Sequence, residues 1–127
     1  MAGVGASGAF EVVIEEHEKF LLATARGPAT LADFFAAIDQ IAQALRRGRQ
    51  RRALVDLRQA QQALKFTEHL QLGARVADRL AFADRVATLV PASSRSGNSE
   101  KAAQKSGLRL RTFTDFKEAL AWLVSDE

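Results

Sequence analysis

Val86 to Val90, read Val-Ala-Thr-Leu-Val, has one polar side chain in its whole length. Such a run suits a strand buried on both faces of a sheet. Pro91 closes it, because proline cannot donate to a sheet ladder. Ala92 to Ser99 then bring four serines, one arginine, one glycine and one asparagine. After them, Glu100 to Ser106 reads as a short helix. A strand, a polar loop and a helix start, in that order, are the usual place for a ligand in an α/β sheet.

The rest of the chain supplies partners for this central strand. Phe10 to Glu16 alternates, with Phe10, Val12 and Ile14 opposite Glu11 and Glu15, as a half-buried strand does. Glu16 to Lys19 is a polar turn, and Phe20 to Ala25 resumes as the second arm of an antiparallel hairpin. Gly27-Pro28 breaks that strand. Thr30 caps a helix over Leu31 to Arg47, with Asp33 completing a variant of the capping box. Leu31, Phe34, Phe35, Ile38, Ile41, Ala42 and Leu45 form its apolar stripe, and Gly48 stops it.

Arg52 to Leu57 reads as a third strand, apolar but for Asp56 near its end, and Arg58 to Lys65 as a loop or a helical turn. Thr67 to Leu80 reads as a second helix, with Leu70, Ala74, Ala77 and Leu80 on its inner face. Leu108 to Phe113, with Arg109 and Arg111 on one side, reads as an edge strand. Thr114 caps a last helix over Asp115 to Val124, on which Trp122, the sole tryptophan, is expected to be mostly buried. Strands that alternate with helices argue for a sheet that is mostly parallel after its hairpin. The expectation is an α/β fold: one mixed five-stranded sheet with about four helices.

Composition sets the class. With 127 residues, 47% of them hydrophobic and 26% charged, there is room for one domain with a real core. Residues 1–9 read as a flexible leader, 10–124 as the domain and 125–127 as a tail. No stretch reaches the length of a membrane helix, so membrane insertion is not expected. Zero cysteines exclude disulfides and thiolate chemistry and fit a reducing, cytoplasmic setting. The net charge is +3, with Arg46, Arg47, Arg49, Arg51 and Arg52 crowded together. Arginines are favourable at a helix C-terminus, so a solvated helix end is the preferred reading over nucleic-acid binding.

Candidate chemistry is sparse. His17 and His69 stand without a cluster of ligand residues, so neither a metal nor another cofactor is expected. A triad of Ser94, His69 and Asp56 can be drawn, but no spacing requires it. The loop is more specific. Ser93, Ser94, Ser96, Asn98 and Ser99 offer neutral donors and Arg95 a charge, beside the unpaired N–H groups of a helix start. That set suits a small anion, or else merely caps the helix. Asp56 ends a buried strand at the same edge, where it binds a ligand or accepts the N–H of Arg58.

Leu-Arg-Leu-Arg-Thr-Phe-Thr-Asp-Phe-Lys-Glu-Ala-Leu-Ala-Trp-Leu, from Leu108 to Leu123, resembles the closing strand and helix of SpoIIAA-like, STAS-type domains. Glu118 to Leu123 is the most telling part, and the strands at Leu54 to Leu57 and Arg85 to Val90 fall in the expected places. The resemblance spans about Phe10 to Leu123. It implies a sheet wound as a β-α superhelix in a stand-alone bacterial protein. Members include anti-sigma-factor antagonists, which bind a partner kinase and carry a phosphorylatable serine, in an Asp-Ser context, where the second helix begins. Here that place reads Lys65-Phe66-Thr67-Glu68. Thr67 is its only hydroxyl, and the Asp-Ser pair is missing, so a helix cap is the preferred role over phosphorylation. Some SpoIIAA-like proteins are compared with the CRAL-TRIO lipid-binding fold, which an apolar pocket under the second helix would support.

The expected function is therefore a non-enzymatic regulatory or signalling module that engages a protein partner or a small anion, with a homodimer expected. The alternative is a carrier of a small hydrophobic or lipid-like ligand. The third reading is a hydrolase using the serine loop. If the loop is a site, phosphate titrated into labelled protein shifts resonances on Ala92 to Lys101, and Arg95→Ala weakens binding by roughly 1.5–3 kcal/mol. Shifts on Arg46 to Arg52 instead, or none anywhere, leave the loop as ordinary surface.

Overall fold

The computed structural model describes residues 9–62, 64–94, 101, 104–105 and 107–125. Five strands lie side by side in chain order: β1 (Glu11–Glu16), β2 (Leu21–Ala29), β3 (Arg52–Gln62), β4 (Arg85–Leu89) and β5 (Leu110–Phe113). β1 pairs antiparallel with β2, and every later pair is parallel. The described helices are α1 (Leu31–Arg47), α2 (Phe66–Arg79) and α3 (Phe116–Leu123). The sequence-expected helix over 100–106 falls mostly outside the described residues.

The two faces of the sheet are covered by different helices. Leu21, Ala23, Ala53, Val86 and Leu110 pack against Ile41, Ala42 and Leu45 of α1, Ala77 of α2 and Leu80 just after it. Leu54, Ala87 and Leu89 face the other way, onto Ala119 and Leu123 of α3. Successive residues of a strand point to opposite faces, so Ala53 and Leu54 serve one layer each. Both are fully enclosed. β3 is therefore the central strand; the apolar run on β4 lies one place nearer the edge.

Two strands run further than expected. β2 continues through Gly27 and Pro28 to Ala29, and β3 continues to Gln62, where a loop or helical turn was expected after Leu57. The extensions pair with each other, from Arg26 opposite Gln59 to Ala29 opposite Gln62, beyond a register shift at Thr24/Arg26. Gly27 permits this at φ +97°, and a Cβ there would come within 2.9 Å of the Ala9 carbonyl oxygen. β1 begins opposite Arg26. Past that point β2 has a strand neighbour on one side only, where proline is tolerated.

Helix ends show which local signals count. α1 keeps its expected bounds, and its capping box is closed on both sides: Asp33 N–H donates to Thr30 Oγ1 and Thr30 N–H to Asp33 Oδ2. Thr67 is not the cap of α2. Lys65 occupies that position, its N–H donating to Glu68 Oε1 at 2.8 Å, and Thr67 is the exposed second helical residue. Likewise Asp115, not Thr114, caps α3, accepting from Glu118 N–H at 3.0 Å. The inner face of α2 is Leu72, Gly73, Val76, Ala77 and Leu80, whereas Leu70 and Ala74 are exposed.

The arginine cluster is largely structural. Arg46 lies over the Phe82 ring, and Arg51 Nη1 donates to the Leu45 carbonyl at the end of α1. Arg52 Nη1 donates to the Leu123 and Ser125 carbonyls, and Arg85 to that of Trp122, so both serve the C-terminus of α3. Trp122 is mostly buried, as expected, but not sealed: it lies at the edge of this layer between Phe113 and the Arg85 and Arg111 guanidinium groups. Leu123, fully enclosed, carries the docking of α3. In urea unfolding, Leu123→Ala is expected to cost about 2–5 kcal/mol. Trp122→Ala should cost about 3–5 kcal/mol, because most of its large ring system is also removed from water. An unchanged melt for either variant would contradict this packing.

Candidate functional site

Asp56 is buried, 7% exposed, in the middle of β3. Its carboxylate accepts the Arg58 backbone N–H at 3.0 Å and a two-pronged contact from the Arg58 guanidinium, at 3.1 Å to Oδ1 and 2.9 Å to Oδ2. Those hydrogen bonds raise the Arg58 pKa above its ordinary value, and the charges of Asp56 and Asp115 add to the effect. The sequence expectation that Asp56 accepts from Arg58 is met. It shares the α3 face with Leu54, and Arg58 lies 6.0 Å from the Phe116 ring centre.

Few of the remaining expected site residues lie among the described residues. Ser93 is exposed in a short 3-10 turn, Ala92–Ser94, which also holds Ser94. Arg95, Ser96, Asn98 and Ser99 lie outside the described residues. His69 lies on α2, on the opposite face of the sheet from Asp56, so Asp56 and His69 do not form the two ends of one triad. Among the described residues, no three His, Asp or Glu side chains come together as a metal site would need.

Two other features lie at α2. The first is on its outer face. Phe66 is 61% exposed and Leu70 40%, and they are two of three large apolar side chains left exposed among the described residues. Four residues apart on a helix, they are neighbours, and Thr67 is exposed beside them. Sequence reading assigned Leu70 to the core and passed over Phe66. The signal was present: Leu72, Val76 and Leu80 recur every four residues, and a residue two places from such a stripe points to the opposite side.

The second feature is behind α2. A cavity of about 110 Å³ separates its inner face and α1 from the sheet. Strand register builds its floor. Ala23, Val55, Thr88 and Thr112 stand opposite one another across β2, β3, β4 and β5. Ala23, Ala25 and Ala37 are small side chains that leave the space unfilled, and Leu72 and Val76 close it from α2. The Thr88 and Thr112 hydroxyls are hydrogen-bonded to each other at 2.9 Å on this floor. Gln62 and His69 line it where β3 ends and α2 begins.

The outer edge of β1 carries Glu11, Glu15 and Glu16, with Val13 exposed among them. Such carboxylates oppose edge-to-edge pairing of two copies through β1. No described helix is long and apolar enough to cross a membrane.

The SpoIIAA-like family model matches residues 20–124, and the chain belongs to that family. Solved structures agree on the fold. An anti-sigma factor antagonist from Mycobacterium paratuberculosis superposes with a TM-score of 0.65 at 12% identity, over 93% of this chain and 97% of that one. An uncharacterised protein with a SpoIIAA-like fold from Shewanella loihica gives 0.56 at 21% identity, over 91% and 93%. The anti-sigma factor antagonist SpoIIAA in its unphosphorylated form gives 0.53 at 19% identity, over 90% and 95%. No curated protein matches the chain.

Because Asp56 is enclosed and Arg58 44% exposed, the pair is asymmetric. Asp56→Ala is expected to lower stability by about 1.5–3 kcal/mol through the lost charge-assisted bonds and the stranded Arg58 N–H. A thermal melt unchanged from the parent would show that the pair contributes nothing to the fold.

Proposed function

We propose that the chain is a non-enzymatic regulatory module that docks a protein partner on the outer face of α2, at its first turns. The exposed pair Phe66 and Leu70 carries this reading. Apolar side chains left in water beside one another make a patch of the kind that contact surfaces use. The place also agrees with the family, whose antagonists bind a partner kinase and carry their phosphorylated serine where the second helix begins. Thr67 is the exposed hydroxyl at that place here, in a sequence without the Asp-Ser pair.

A second reading, a holder of a small hydrophobic ligand, is favoured by the cavity between the sheet and α1 and α2. The two readings use opposite faces of α2 and do not compete.

Affinity capture with the purified chain tests the docking face. The expected outcome is retention of a kinase-type anti-sigma partner by the parent protein and its loss with Phe66→Ser, while the thermal melt stays within about 3 °C of the parent, since an exposed side chain contributes little to the fold. Equal capture by both proteins overturns the assignment of this face.

A further inference from the structure

We infer that the cavity takes a small uncharged molecule, about the size of one ring, with a single hydroxyl group. Its hydrocarbon would lie against the alanines of β2 and α1, and its hydroxyl at the Thr88–Thr112 pair. This deepens the ligand-holding reading and rests on it.

Size comes first. The cavity measures about 110 Å³. An apolar cavity of roughly 150 Å³ in another protein holds benzene. The space therefore suits a phenol or a short-chain alcohol and not the full tail of a lipid, which narrows the lipid-like class suggested by the sequence.

Polarity comes next. None of the described residues lining the cavity is Asp, Glu, Lys or Arg. A charged ligand would enter with no Asp, Glu, Lys or Arg to oppose its charge and would lose its hydration, which opposes binding. A neutral ligand escapes that penalty. The walls are not wholly apolar, however. A threonine hydroxyl has one donor and two acceptor positions. The bond to Thr112 uses one of these on Thr88, so the Thr88 hydroxyl retains capacity for a ligand hydroxyl. Threonine at this point of β4 stands between Val86 and Val90, both of which line the same cavity. A third valine would fill the position equally well by shape, so the hydroxyl is what distinguishes the site.

Phenol, toluene and benzoate serve as probes, titrated at pH 7 into the intact chain and followed by amide NMR. Phenol is expected to bind and to shift Ala23, Val55, Thr88 and Thr112. Toluene should bind about fivefold more weakly, the worth of one net hydrogen bond, and benzoate should not bind. Thr88→Val should remove the preference for phenol over toluene, and Thr88→Ser should restore it. Ala25→Leu should fill the space and abolish binding of both; Ala37→Val serves the same purpose if that variant does not fold. Benzoate binding without phenol would leave a ligand site but overturn the uncharged class. Toluene binding as tightly as phenol would overturn the role of the hydroxyl pair. No binding by any probe would overturn the ligand-holding reading together with the inference.

Discussion

Ala53 and Leu54, consecutive on β3, are both sealed from water, and each belongs to a different half of the core. This is possible because β3 has a strand on either side, from β2 and β4, and a helical layer on either face. Its backbone groups are paired laterally and its side chains are covered vertically. α1 and α2 are held through Ala53 and its row, and α3 through Leu54 and its row. A parallel sheet with both faces apolar has no stable alternative to such double coverage.

The basic residues illustrate how charge is absorbed by a small fold. Arg52 and Arg85 begin β3 and β4 and reach the last carbonyls of α3. Carbonyls at a helix C-terminus lack the full set of partners that the interior has and carry the negative end of its dipole. An arginine here ties a short helix to the strands it covers. α3 has only eight residues, too few to be stable as an isolated helix, so its docking depends on Leu123 below and these arginines at its end.

α2 is where structure and function meet. Its inner residues Leu72 and Val76 wall the cavity, while Phe66 and Leu70 face outward. The helix is joined to α1 by Arg75 and Arg79 beside Asp39, at 3.6 Å and 3.3 Å, and by Arg75 over the Phe35 ring. These contacts lie mostly at the surface, where ion pairs contribute little. The helix thus rests mainly on its apolar inner stripe, part of which borders empty space.

The sequence by itself determined the hairpin, the parallel order implied by alternating strands and helices, and the bounds of α1. Each of these is written in local periodicity and in side chains within four residues of one another. Thr30 and Asp33 cap α1 because both partners are near in sequence. The Asp56 to Arg58 backbone contact was legible for the same reason. What only tertiary structure decided is longer in range. The continuation of β2 and β3 depends on each strand offering the other a partner 33 residues away, as Arg26 does for Gln59. The pairing of Val55, Thr88 and Thr112 into one row depends on strand register, and so does the cavity above it. A vacant space is the difference between side chains brought together from seven elements, and no single stretch of the chain carries its shape.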